Sequence, residues 1–443
     1  MLSSQGMSGD HFDYIRLSDS LINAGIFSSF YEFENYYPNT VRTPGYPMFL
    51  TGVRMISANL IFVKLIQLFL YFISLILFLK ITQSLSPKKK VHYLFLISTA
   101  ICIQLPYYSG LILSETISIF MVAVIFYMIF FKKDKKFFGI VMLALVLGLL
   151  SLTRPVFFLL PFLISFFYLF HTQSIKRLLL LNLIFFAVLS PWVAWNIDNH
   201  SKITPLTVQG GPIPAHTSFW MSKLPYNYRL PKSIYAPVIY PDLLDPYYYS
   251  IDDAERQSNL TLFLNELKEI DQSVDHLLSK QEKIDVEKMN ETEGIFNSYP
   301  SSYTIAKEKK YSEKLTESVT QEPLYYLNTR IYTLFRLLVT GINPDILSND
   351  TDMSTLNKVQ RIFSTTITFF ILFLPFLITI VFYFKNIFKV KKEIHFAMLM
   401  IAYSFAVYLP FPPQSRYMIP VHLIIILLNV ITMFDSNRLL KNA

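Results

Sequence analysis

The residues best suited to chemistry fall in four short clusters, each beside a long apolar block. The first is Gly9-Asp10-His11-Phe12-Asp13-Tyr14. Asp10 and Tyr14 stand four apart and share one face if the segment is helical. A carboxylate there can act as a general base toward an acceptor hydroxyl, and it suits a helix N-cap equally well. Asp13 is a neighbouring acid able to take over that role. The second cluster is Arg42-Thr43-Pro44-Gly45-Tyr46-Pro47. Its prolines and glycine fix a turn that holds Arg42 near the membrane surface, where a guanidinium can meet a phosphate or anchor a helix end. The third, Leu113-Ser114-Glu115, opens a helix with a carboxylate. That acid can bind a sugar hydroxyl or a cation, or complement the helix dipole. The fourth is Arg416-Tyr417 with Pro420, after Pro410–Pro413. A cation at a helix start opposes the local dipole, which favours anion binding over a purely structural role.

Other polar residues carry less. Lys64 reads as a snorkelling interfacial lysine. His11, His200 and His216 lack metal-ligand spacing, so no metal site is expected. Arg330 and Arg336, within Tyr325–Leu338, read as part of an interfacial helix. No Ser/His/Asp or Cys/His arrangement is present.

The elements that must position these clusters are membrane helices. The chain has 443 residues, 53% hydrophobic and only 16% charged, against about 25% charged in soluble proteins. Apolar blocks run over 55–80, 91–108, 112–131, 137–153, 156–170, 178–195, 359–384, 394–411 and 417–434. Several approach the roughly 20 residues that cross a bilayer, and they lack the alternation of amphipathic soluble helices. The expected fold is an all-α polytopic membrane protein with about nine transmembrane helices and a mixed outer domain.

The net charge of +8 is concentrated in connectors: Lys80 with Lys88–Lys90, Lys132–Lys136, Lys176 with Arg177, Lys385–Lys392, and Arg438 with Lys441. These fall at every second turn, and the positive-inside rule places them in the cytoplasm. The charge therefore reports topology, and nucleic acid is not an expected partner. The connectors Tyr107–Glu115, Thr153–Pro155 and Pro410–Arg416 then face outside. So does 196–358, in which Asp252–Leu315 is charged and helix-favouring. The lone Cys102 lies in an apolar run, so no internal disulfide holds the outer segment. The expected division is a first outer loop at 1–54, a bundle at 55–195, an extracytoplasmic segment at 196–358 and C-terminal spans at 359–443. Because 1–54 must also lie outside and Met1–Ser8 has no apolar run, a preceding transmembrane helix is expected to be missing.

With these motifs in order, the sequence resembles glycosyltransferases of the GT-C fold, in the branch of bacterial protein-mannosyltransferase-like and lipid A aminoarabinose transferase-like enzymes. The resemblance rests on Asp10–Tyr14, Arg42-Thr-Pro-Gly-Tyr-Pro47, Ser114-Glu115, Leu152-Thr-Arg-Pro155, Pro191-Trp192 with Asn196, and Arg416-Tyr-Met-Ile-Pro420. It implies a polyprenyl-phosphate-linked sugar as donor, a glycan, lipid or protein acceptor, and an active site in the outer leaflet of the bacterial cytoplasmic membrane. It further implies that Asp10 is the catalytic base and that Glu115 is the second acid. Arg42 and Arg416 would meet the lipid phosphate, with Asp13, Tyr14, Tyr46 and Tyr417 completing the substrate site. A divalent cation is the one cofactor the resemblance leaves open. The competing expectations are a transporter or flippase of lipid-linked glycans, which would place polar groups inside the spans, and a non-catalytic envelope-assembly protein.

Overall fold

In lipid a backbone can satisfy its polar groups only within a helix or a closed barrel, and the apolar blocks of this chain all take the helical solution. The computed structural model describes residues 9–131, 137–172, 175–221, 223–224, 252–291, 298–339, 355–411 and 415–441. Two helices precede the bundle, α1 (Gly9–Asn23) and α2 (Gly45–Ile56). The bundle follows with α3 (Leu60–Leu85), α4 (Lys89–Ile101), α5 (Gln104–Ser109), α6 (Glu115–Phe131), α7 (Phe137–Thr153), α8 (Leu160–Thr172) and α9 (Ile175–His200). The segment after it holds α10 (Pro212–Met221), α11 (Asp253–Val274), α12 (Lys280–Glu291), α13 (Ser301–Gln321) and α14 (Pro323–Val339). The chain then returns through α15 (Thr355–Thr368), a π-helical turn at Phe369–Phe373, α16 (Leu374–Lys385), α17 (Lys392–Tyr408) and α18 (Ile419–Asp435).

Among the described residues, four helical stretches are long and apolar enough to cross a bilayer: Leu60–Leu85, Ile175–His200, Ile362–Lys385 and Arg416–Leu439. The expectation of about nine spans is met to that extent. Glu115–Phe131, Phe137–Thr153 and Pro155–Phe167 are apolar but shorter. The block at 91–108 is broken after Ile101. Pro106 has no N–H to donate to the Cys102 carbonyl, so a continuous helix would lose that bond; Leu105 N takes the carbonyl instead, at 3.0 Å.

The four spans differ in burial. The Arg416–Leu439 stretch is 83% buried and forms the axis of the bundle, whereas the other three are 22–28% buried. Phe69, Phe72, Leu183 and Phe370 point outward from them. A helix apolar on every side and mostly uncovered needs lipid as its solvent, which makes this chain an integral membrane protein. At Gly148 on α7 an added Cβ would meet Val188 Cγ1 on α9 at 2.6 Å, so the missing side chain sets how closely those helices pack.

Polar side chains inside the bundle tie helices together. Gln67 Nε2 donates to the Leu111 carbonyl at 2.5 Å, and Thr379 Oγ1 donates to Asn429 Oδ1 at 2.9 Å. At one end of the bundle, three lysine-bearing connectors meet. Asp435 accepts from Ser86 Oγ at 2.6 Å and pairs with Lys88 at 2.8 Å, while Lys391 N donates to the Leu439 carbonyl at 2.8 Å. The Lys132–Lys136 connector, Met1–Ser8 and the side chain of Arg336 lie outside the described residues.

The described part of 196–358 is helical, where a mixed domain was expected. Its start signals are local. Asp252 caps α11 by accepting from Glu255 N at 2.7 Å, and Ser279 and Glu282 form a reciprocal capping box at α12. Phe219, Trp220, Phe263, Leu267 and Tyr311 form its core. The loop between α1 and α2 is pinned beneath it: Tyr37 Oη donates to Asp285 Oδ2 at 2.7 Å, and Ser29 N donates to Ser298 Oγ at 2.8 Å.

Candidate active site

The opposite end of the bundle holds a cavity of about 240 Å³. It forms where the first residues of α1, α6 and the Arg416 turn converge with the turns before α2 and after α7. Asp10 and Tyr14 line it from one face of α1, as their spacing requires. Arg42, Ser114, Glu115, Arg154, Tyr408, Arg416 and Tyr417 complete the bundle's share, and Thr207–Pro214 supplies a wall from the long segment. Six of the eight residues singled out by type and spacing therefore line one cavity: Asp10, Tyr14, Arg42, Glu115, Arg416 and Tyr417.

Local backbone chemistry explains how the arginines arrive. Asn39 Oδ1 accepts from Val41 N and Arg42 N at 3.1 and 2.8 Å, fixing the turn that delivers Arg42. Three residues later the chain runs against another turn: a Cβ on Gly45 would lie 2.6 Å from the Leu152 carbonyl. Only glycine permits that approach, which brings the Arg42 turn beside the Arg154 turn. Arg154 precedes a proline and is extended, at φ −140° and ψ 107°. Its N donates to Leu150 O at 2.8 Å, so this backbone is firmly held.

The charges divide unevenly. Asp10 receives Arg42 Nη2 on one oxygen and Arg416 Nη2 on the other, both at 2.6 Å. Burial alone would push its carboxyl up, but the two guanidinium groups overcome that and hold it well below the usual carboxylate range. Arg42 also donates Nε to Asp13 at 2.7 Å and lies over the Tyr14 ring at 4.8 Å. Burial pushes the Tyr14 phenol up, outweighing the effect of Arg42. Glu115 is 2% exposed. Its Oε1 stands 3.6 Å from Arg154 Nη1 and 4.0 Å from Arg416 Nε, and its Oε2 has no hydrogen-bond partner among the described residues. Tyr408 and Tyr417 stack beside these groups at 4.6 Å.

Two expected substrate contacts do not reach the cavity. Asp13 is fully buried, with Arg42 Nε on one oxygen and Ser29 Oγ and Asn39 Nδ2 on the other. It supports Arg42 and is closed to a substrate hydroxyl. Tyr46 is also fully buried; its hydroxyl donates to Gln67 at 2.8 Å and its ring packs edge-on against Tyr14. Arg330 departs from the interfacial reading as well. It is buried, donating to the Leu409 and Pro410 carbonyls and to Ser218 Oγ, each at 3.0 Å. The outward stripe of that helix is Leu324, Leu327 and Ile331 instead.

Arg154 and Tyr408 line the cavity without having been assigned to it by sequence. The signal for Arg154 was present in Leu152-Thr-Arg-Pro155, at a connector deduced to share a side with the other clusters. A divalent cation does not fit these donors. Asp10 gives both oxygens to guanidinium groups, and no group of three or more His, Cys, Asp or Glu among the described residues could hold a metal ion.

No protein-family model matches the chain, and no curated protein does. Two solved structures are similar to it over almost its whole length. One is the archaeal oligosaccharyltransferase AglB from Archaeoglobus fulgidus, in complex with an inhibitory peptide and a dolichol-phosphate. It is 12% identical with a TM-score of 0.44, over 98% of this chain and 48% of that one. The other is ArnT from Cupriavidus metallidurans bound to undecaprenyl phosphate. It is 10% identical with a TM-score of 0.38, over 97% and 74% of the two chains. The chain thus spans about half the length of the oligosaccharyltransferase. With TM-scores below 0.5, neither likeness bears on the reaction.

Proposed function

We propose that this protein is a membrane glycosyltransferase that moves a sugar from a polyprenyl phosphate to a glycan, lipid or protein acceptor, with inversion, at the outer face of the bacterial cytoplasmic membrane. The observation that carries the reading is one cavity in which Asp10 and Glu115 meet Arg42, Arg154 and Arg416, at the bundle end away from the lysine connectors. Acids and arginines at the edge of a membrane domain are costly to keep and mark functional sites. The polyprenyl-phosphate donor is what the motif resemblance implies.

In the proposed reaction the acceptor hydroxyl oxygen attacks the anomeric carbon and its proton passes to Asp10. The bond from that carbon to the phosphate oxygen breaks, and polyprenyl phosphate departs with the electron pair. Fixed guanidinium groups stabilise the charge that develops on it. Clamped by two arginines, Asp10 is a weak base. A donor phosphate that draws Arg416 away releases one oxygen and restores its basicity, so base strength arises only with donor in place. Glu115 orients a sugar or acceptor hydroxyl. A carrier would instead expose polar groups along its spans, whereas Gln67, Thr379 and Asn429 are engaged between helices.

The test is transfer from labelled polyprenyl-phosphate sugars by the full-length protein in membranes. Asp10→Asn should lower transfer about 10²–10⁴-fold with the amount of membrane protein unchanged. Undiminished turnover would overturn the base assignment. Absence of transfer by the wild type across neutral hexose, pentose and amino-sugar donors would overturn the donor reading.

A further inference from the structure

We infer that Arg154, with Arg416 beside it, is the phosphate-recognising guanidinium of this cavity, and that Arg42 is a positioning residue for the acids. The assignment rests on the donor reading above and concerns which side chain meets the anion. The three cavity arginines are not equivalent. Arg42 gives Nη2 to Asp10 and Nε to Asp13 and is stacked on Tyr14. An anion could recruit it only by breaking its ion pairs with two buried carboxylates. Arg416 donates to Asp10 at 2.6 Å, one clamp of a doubly held acid.

Arg154 has no comparable commitment. Its nearest carboxylate oxygen, Glu115 Oε1, is 3.6 Å from Nη1, and Nη1 has no hydrogen-bond partner among the described residues although the side chain is buried. One carboxylate, Glu115, thus faces two guanidinium groups at 3.6 and 4.0 Å. Arg416 is already held by Asp10, so Glu115 is left facing Arg154 at a stretched distance, and Arg154 Nη1 keeps donors with no acceptor among the described residues. A phosphate group supplies that acceptor, and a guanidinium can meet it with two parallel N–H bonds. The mount is rigid, because the bond from Arg154 N to Leu150 O and the close packing at Gly45 fix the backbone beneath the side chain. A phosphate between Arg154 and Arg416 would also lie within reach of the clamp on Asp10. Binding the donor and freeing the base then become one event.

The experiment is a binding titration of the full-length protein in nanodiscs with undecaprenyl phosphate, with inorganic phosphate as competitor. Arg154→Gln should weaken lipid-phosphate binding about ten- to hundred-fold, the loss expected for hydrogen bonds to a charged group. Arg154→Lys, which keeps the charge but loses the fork, should fall between it and the wild type. Lys310→Gln, on the exposed face of α13, removes the same charge and should leave binding unchanged. Thermal unfolding of each variant identifies any that fails to fold, in which case the lysine variant decides. Competition by inorganic phosphate that vanishes in Arg154→Gln locates the recognition in the phosphate group itself; an effect confined to the lipid locates it in the lipid headgroup. Wild-type affinity in both Arg154 variants would overturn the assignment. If the wild type binds neither form of phosphate, the donor reading fails and this assignment fails with it.

Discussion

The two halves of the cavity hold the same residue types in opposite states. Around Asp10, every carboxylate oxygen has a guanidinium or hydroxyl at hydrogen-bond distance, with Asp13 and Arg42 locked behind it. Around Glu115, the ion pairs are stretched to 3.6 and 4.0 Å, and Glu115 Oε2 and Arg154 Nη1 have no hydrogen-bond partner among the described residues. A saturated network rigidifies, while an unsatisfied one costs stability that a ligand can restore. The difference separates a half that holds the fold of the site from a half poised to receive substrate.

Removing Arg42 should produce the largest effect. Arg42→Met takes the Arg42 guanidinium away from both Asp10 and Asp13. Stranding a buried carboxylate costs about 3–5 kcal/mol, so thermal unfolding in nanodiscs should show a severe loss and transfer should fall with it. Glu115→Gln should behave differently, with transfer falling steeply and stability by less than about 2 kcal/mol, because it breaks no hydrogen bond among the described residues. Equal destabilisation by the two substitutions would erase the contrast between the halves.

Arg330 extends the comparison to the long segment. Its guanidinium holds the two carbonyls that follow α17, next to the turn that carries Arg416. Arg330→Gln should cost about 1.5–3 kcal/mol, the range for hydrogen bonds to a charged group. It should also raise the donor concentration needed for half-maximal transfer, since Arg416 would lose its mount. An unchanged donor requirement would confine Arg330 to a stabilising role.

Much of this was legible in the sequence because it depended on local rules. The i, i+4 spacing placed Asp10 and Tyr14 on one face, and the alternation of lysine connectors identified the turns that would share an end with Glu115 and Arg416. What stayed hidden depended on the far side of each residue. Asp13 and Tyr46 have the right type for substrate contacts, yet their partners Asn39, Ser29 and Gln67 turn them inward. Arg330 sits in an amphipathic helix, and nothing in that helix reveals the carbonyls 79 and 80 residues away that bury it. Arg154 was visible as a motif, but that its Nη1 has no hydrogen-bond partner among the described residues is a property of packing alone.

The smallest expected effect lies in the wall of the cavity. Glu308 on α13 accepts from Gly210 N and Gly211 N, both at 3.2 Å, and so holds the loop that faces Arg42. Burial pushes its carboxyl up, and the two glycine N–H groups only partly offset this. Its linkage therefore runs against that of Asp10. Asp10, with a lowered value, adds stability that is complete above the ordinary carboxylate range near pH 4 and is lost only below it. Glu308, with a raised value, is favoured when protonated, so its contribution declines as pH rises from about 4 through its folded value and is flat beyond. Glu308→Gln keeps an acceptor for the glycines and cannot ionise. It should change stability at neutral pH by less than about 1 kcal/mol while removing that decline from unfolding curves recorded between pH 4 and 8. A decline that persists in the variant would assign the pH dependence to other groups and leave the loop held by geometry alone.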